Sequence, residues 1–248
     1  MEEGIEQSCN PYFWALFRDM LQRDGYADEN ILFKQHYTDW RNDILSFGLG
    51  QRFEDTDISE QAAGYVPTVE LYNKIYGTKG WKAITIRSLS IGQGEVLVTP
   101  LQLANQAAAI ANKGYYITPH LNRNDSMKSR IHSTLIDSIY FDIVQTGMER
   151  VMTNGTGRWY NVQDLQMCGK TGTVENVHGK DHALFIGFAP KDNPQIAIAV
   201  AVENAGFGAT WACPVGSLIM EQYLTGEIKR KSLYDRIVNA NLIAQDNE

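Results

Sequence analysis

Cysteine is scarce in this chain: three in 248 residues, Cys9, Cys168 and Cys213, with no CxxC pair and no zinc-site spacing. That scarcity excludes a disulfide framework, and an odd set cannot pair wholly within the chain. Small buried or half-buried thiols are expected instead. Blocks of Lys or Arg are also missing, and the net charge is −7, so nucleic acid is not an expected partner. No apolar run is long enough to span a membrane. An uncharged stretch such as 96–112 is interrupted by Thr99, Pro100, Gln102, Asn105, Gln106 and Asn112. The start, MEEGIEQSCN, is acidic, where a signal peptide begins basic and turns apolar. Internal repeats and low-complexity segments are absent. The remainder is ordinary globular composition, long enough for a sizeable core.

A phosphate-binding loop is missing as well, although MCGKTGTVEN at 167–176 ends like one. That pattern needs a glycine five positions before Gly169 and a helix after the lysine. Asp164 stands at the first position, and Thr171, Gly172, Thr173 and Val174 follow the second. Two threonines and a valine favour a strand over a helix. Lys170 is therefore expected on a strand, with no helix N-terminus to hold a phosphate.

Helical signals dominate the first part of the chain. Phe13, Trp14, Phe17, Met20 and Leu21 recur on one face, and the Gly- and Asp-rich text at 48–68 reads as a loop. At 99–114, Thr99 with Gln102 has capping-box spacing, Pro100 suits the first helical position and Gly114 can end the helix. A helix is expected over 134–152, started by Thr134 with Asp137 and followed by the glycine break TNGTGRWYN, which reads as a turn. From 171 the period shortens. TGTVENV, HALFIGFA and QIAIAVAV predict three consecutive strands, the last two joined by PKDNP. A final helix at 214–225 would bury Val215, Leu218, Ile219 and Tyr223. Helices, then three adjacent strands, then a helix describe an α+β domain with an antiparallel sheet.

Lys-Thr-Gly-Thr on a strand suits a substrate carboxylate. Lys170 supplies positive charge, and Thr171 and Thr173 place two hydroxyls on one strand face. Gly172 lets another backbone approach. At the other end stands Ser8-Cys9-Asn10. Ser-x-Asn and Lys-Thr-Gly are two of the three motifs of the serine penicillin-recognising enzymes. With SIGQGEVLVTPLQLANQAAAIANKGYYITPHL and GKTGTVENVHGKDHALFIGFAP between and around them, residues 8–224 closely resemble the transpeptidase domain of the class B penicillin-binding proteins, in the elongation-specific branch typified by penicillin-binding protein 2.

The resemblance implies the penicillin-binding protein/β-lactamase-like fold, an antiparallel sheet flanked by helices, with residues 1–248 forming a partial transpeptidase domain. It implies serine acyl transfer on D-Ala-D-Ala stem peptides, cross-linking cell wall during elongation and acylated by β-lactams. Ser8 would pass a proton toward the leaving group, Asn10 would position the peptide, and Lys170 would orient Ser8 and attract the carboxylate. Thr171 and Thr173 would hold that carboxylate, beside Gly172, and the Thr173 backbone N–H would serve the oxyanion hole. No metal or organic cofactor is implied. Implied partners are peptidoglycan stem peptides, β-lactam antibiotics and a glycan-polymerising protein of the elongation machinery, at the periplasmic face of the bacterial cytoplasmic membrane.

The third motif is absent: none of the serines has Lys three positions on. In the family this Ser-x-x-Lys holds the nucleophile and its base several dozen residues before Ser-x-Asn. The expectation is a chain truncated after the nucleophile and its anchor, inactive alone. Ser8 as nucleophile would need a second group to replace the missing lysine. The alternatives are a D,D-carboxypeptidase or β-lactamase of the same fold, or a non-catalytic β-lactam- or peptide-binding module. The GQGEVLVTPLQLAN block favours the transpeptidase branch. His178 and His182, around Asp181, read as a loop and a strand-entry histidine and not as a metal pair. The NAGFGATW segment before the last helix is expected either to border the substrate groove, as in relatives, or to be structural.

Overall fold

The computed structural model describes residues 1–24, 29–123 and 130–243. The chain begins with helices α1 (Glu2–Glu6), α2 (Asn10–Leu21), α3 (Glu29–Ser46), α4 (Val69–Tyr76) and α5 (Pro100–Ala111). A short hairpin of β1 (Tyr115–Ile117) and β2 (Ile131–Ser133) precedes α6 (Phe141–Thr153). Strands β3 (Cys168–Val174), β4 (His182–Ala189) and β5 (Ile196–Val202) follow, then α7 (Ala212–Thr225) and α8 (Lys231–Val238). Two compact units result: residues 1–8, 110–113 and 140–248 in one, and 9–109 with 114–139 in the other.

In the second unit the aromatic spacing seen in the sequence becomes a core. Phe17 and Leu21 of α2 join Phe33 and Tyr37 of α3, Tyr72 of α4 and Trp81, with Leu21, Tyr37 and Tyr72 wholly buried. Their rings meet mostly edge to face, as Tyr37 does with Trp81 at 5.4 Å, an arrangement suited to the aromatic quadrupole. The region 48–68 carries no helix or strand, as expected. At α5 the capping box closes both ways: Gln102 N donates to Thr99 Oγ1 at 3.2 Å and Thr99 N to Gln102 Oε1 at 3.1 Å. The same Gln102 amide donates to the carbonyls of Gln51 and Ala63, so one side chain starts the helix and pins the loop. Thr99→Ala is expected to cost about 1 kcal/mol, the usual value of an N-cap, read as a shifted urea midpoint at unchanged m-value.

The helix expected from Thr134 starts instead at Phe141. Thr134 N donates to Gly114 O at 2.8 Å, extending the β1–β2 pairing, so its backbone is engaged in a sheet before a helix can use it. Asp137 Oδ1 accepts from Ile139 N at 3.0 Å at a short 3-10 turn leading into α6.

In the first unit the sheet order is β3-β4-β5, antiparallel throughout. β4 covers the expected HALFIGFA, whereas β3 begins three residues before Thr171. Thr171 pairs with Phe185 and Thr173 with Ala183, so both threonines share a face with the buried Phe185 ring while Lys170 and Gly172 lie on the other. α1 packs on α6, α6 on β3, and α7 on β4 and β5.

The last helix buries a different side from the one expected. Of Val215, Leu218, Ile219 and Tyr223 only Leu218 is fully buried, and Tyr223 is 61% exposed. Ser217 and Glu221 are buried instead. Arg230, just before the unanticipated α8, donates to Glu221 Oε2 at 2.9 Å and to Ser217 Oγ at 2.8 Å. A paired carboxylate can be buried where a lone one cannot, and apolar periodicity does not register that pairing.

Candidate active site

Ser8 lies in the turn between α1 and α2, where Ser8 N donates to Ile5 O at 3.1 Å. Its φ is +52°. A left-handed conformation costs a non-glycine residue about 1–2 kcal/mol, and such strain concentrates where a side chain must be aimed. The hydroxyl is aimed at β3: it accepts from Lys170 Nζ at 2.7 Å. The two residues are 162 positions apart, one on a turn and one on a strand that α6 backs.

The lysine makes a second bond, donating to Thr171 O at 2.9 Å. No carboxylate is paired with it among the described residues. Burial alone acts on its charge and lowers its pKa from the ordinary 10.5 to about 8. An ammonium taken from water without a counter-charge loses hydration that two neutral acceptors do not replace. Near neutral pH this lysine therefore exchanges its proton readily, an uncommon property for Lys and a useful one beside a hydroxyl.

On the opposite face of β3, Thr171 Oγ1 lies 2.7 Å from Thr156 Oγ1. Thr173 Oγ1 accepts from Gly208 N at 3.2 Å. Gly208 belongs to the NAGFGATW segment, and a Cβ on it would lie 2.0 Å from Gly172 O. Only glycine can bring that loop so close to β3. One edge of β3 pairs with β4. No strand among the described residues pairs with the other edge.

Ser8, Lys170, Thr171, Gly172 and Thr173 all lie in the first unit, and the hydrogen bond joins the first two directly. Asn10 is the first residue of α2, exposed, in the other unit. Thr156 was not anticipated as a site residue; its signal was the glycine pair flanking it in TNGTGRWYN, which the sequence presents only as a turn. Trp211 holds the Arg236 guanidinium 5.6 Å from its ring centre, a structural contact between the start of α7 and α8. His182 opens β4, and its Nδ1 accepts from Asn204 N at 3.0 Å, while His178 lies in the preceding turn. Cys168 and Cys213 are buried and Cys9 half-buried, all as free thiols. Burial pushes both buried thiols up to about 12, so they are not nucleophiles.

A family model described as the penicillin binding protein transpeptidase domain matches residues 1–221. The peptidoglycan D,D-transpeptidase MrdA of Acinetobacter baumannii is 32% identical over 237 residues, covering 86% of this chain and 33% of that protein. Among solved structures, Pseudomonas aeruginosa PBP2 in complex with WCK 5153 superposes with a TM-score of 0.69 at 31% identity, over 93% of this chain and 51% of that one. Helicobacter pylori PBP2 in complex with MreC shares the fold, with a TM-score of 0.71 at 22% identity, over 91% of this chain and 39% of that one. The chain spans about a third of the length of the curated relatives it matches.

Proposed function

The chain belongs to the penicillin-binding protein transpeptidase family, and on that premise we propose that residues 1–248 are part of a transpeptidase domain that binds D-Ala-D-Ala stem peptides in a peptidoglycan-cross-linking serine D,D-transpeptidase. The observation that carries this reading is the 2.7 Å bond between Lys170 of Lys-Thr-Gly and Ser8, the first residue of Ser-x-Asn. In this reading the stem peptide lies along the open edge of β3. Its terminal carboxylate accepts hydrogen bonds from Thr171 and Thr173, and Lys170 supplies the charge that attracts it. The Thr173 N–H donates to the carbonyl oxygen as negative charge develops there.

The acyl step breaks the bond between the penultimate carbonyl and the nitrogen of the terminal D-Ala. The departing amine needs a proton. Ser8 Oγ is the donor, and Lys170 Nζ returns a proton to Ser8, a transfer made easy by a lysine held near 8. The attacking serine of that step belongs to a Ser-x-x-Lys motif, which these 248 residues do not contain. Peptide binding by this chain and covalent turnover by the enzyme are therefore separable. The enzyme is proposed to act at the periplasmic face of the cytoplasmic membrane with a glycan-polymerising partner of the elongation machinery. The likeness to a PBP2 that is solved with MreC supports a partner of that machinery.

Two measurements on this chain test the reading. Titration of the 15N-labelled protein with N-acetyl-Lys-D-Ala-D-Ala is expected to shift β3 amides, with the C-terminal amide of the same peptide binding about tenfold more weakly for want of a charge-assisted bond. Intact mass after excess benzylpenicillin is expected to stay unchanged. Equal binding of acid and amide would overturn the carboxylate site. A gain of one penicilloyl group would show that a nucleophile lies within these residues, and peptide mapping would then ask whether it is Ser8.

A further inference from the structure

The turn joining α6 to the sheet is held more firmly than a connector requires. Asn154 N and Gly155 N both donate to Arg150 O at 2.8 Å, and Gly157 N donates to Val151 O at 2.9 Å. The two glycines bracketing Thr156 are in close contact. A Cβ on Gly155 would lie 2.4 Å from Glu6 O, at the end of α1 and two residues before Ser8. One on Gly157 would lie 2.7 Å from Met152 Sδ and 3.3 Å from Cys213 Sγ. Thr156 is thus fixed between the segment carrying Ser8 and the strand carrying Lys170, and its hydroxyl meets that of Thr171 at 2.7 Å.

A threonine hydroxyl has one proton and two lone pairs. If Thr171 gives its proton to a substrate carboxylate, it cannot also give it to Thr156. The 2.7 Å bond must then run from Thr156 to Thr171. We infer that Thr156 is a positioning residue for C-terminal carboxylate recognition: it donates to Thr171 Oγ1, turns the Thr171 proton toward the groove and polarises it, so that Thr156, Thr171 and the carboxylate form one donor chain. Hydrogen bonds in such a chain strengthen one another. This inference rests on the reading of β3 as the carboxylate site.

The test uses N-acetyl-Lys-D-Ala-D-Ala and its C-terminal amide against five proteins: wild type, Thr156→Val, Thr156→Ser, Thr171→Val and the Thr156→Val/Thr171→Val double variant. Each is first matched to wild type by circular dichroism and thermal midpoint. Thr156→Val is expected to weaken the acid about three- to tenfold, the net value of one hydrogen bond, and to leave the amide unchanged. Thr156→Ser, which keeps the donor, is expected to restore acid binding. Adding Thr156→Val to Thr171→Val is expected to change nothing further, because the chain is already broken. Full acid-over-amide preference in Thr156→Val would overturn the inference alone, as would equal weakening of both peptides that Ser does not rescue. A wild type without the preference would overturn the carboxylate reading and this inference together.

Discussion

Arg230→Ala is expected to lower the stability of the sheet unit by about 3–5 kcal/mol, the usual cost of removing one partner of a buried ion pair. Glu221 is 2% exposed, and its carboxylate meets Arg230 Nε at 2.9 Å and Lys229 N at 3.1 Å. The same guanidinium donates to Tyr160 O at 2.8 Å and to Ser217 O at 3.1 Å, while Ser217 Oγ itself donates to Tyr160 O. Deleting Arg230 strands a buried negative charge, and α8 loses the residue that leads into it. For a chain of this length the thermal midpoint should fall by about 10 °C. Adding Glu221→Gln should recover roughly half the loss, because a neutral amide is far cheaper to bury than an ion. A single variant within about 1 kcal/mol of wild type would mean that water reaches the carboxylate and that the network carries little weight.

Lys170→Met is expected to separate function from stability in opposite directions. Peptide binding should fall by at least about tenfold with the loss of the site's cation. Its stability should exceed that of wild type, and by more at neutral pH than in alkali. The Lys170 pKa is depressed from 10.5 to about 8 by burial, so between those values the unfolded chain holds more protons than the folded one. Folding is then favoured increasingly as pH rises from 8 to 10.5, and below 8 the full penalty of the buried ammonium applies. The methionine variant lacks that titration. Its stability minus that of wild type should be greatest below pH 8 and shrink through the window by an amount on the order of 1–3 kcal/mol. Other groups titrate in both proteins and cancel. Denaturant melts at pH 7 and pH 10.5 measure the difference, and a pH-independent gap would show that Lys170 is solvated.

Local chemistry was readable where neighbours in the chain decide the outcome. Thr99, Pro100 and Gln102 specified the start of α5 because a capping box closes over three residues. HALFIGFA became β4 because strand-favouring residues, here two phenylalanines and an isoleucine in a short apolar run, suit the middle of a sheet. Lys170 and Thr171 lie on a strand for the same reason. Sequence pattern and structure diverge where a distant group intervenes. Thr134 looks like a helix start, but Gly114 O takes its N–H. The buried side of α7 is displaced because Arg230 makes Glu221 burial tolerable. Thr156 sits in a glycine-flanked stretch that reads as a turn ahead of the Lys-Thr-Gly strand, with no mark of the hydroxyl it meets there.

The order and chemistry of the motifs, the strand under Lys-Thr-Gly and the family itself are written in the residues, since each depends on short patterns and their spacing. Three things were decided only in the folded chain. The Ser8 turn adopts φ +52°, the Lys170 ammonium reaches that hydroxyl across 162 positions and loses its water there, and Thr156 meets Thr171. A pKa and a hydrogen bond between distant residues depend on distance and on how much water remains. Those are properties of packing, and side-chain periodicity carries no record of them.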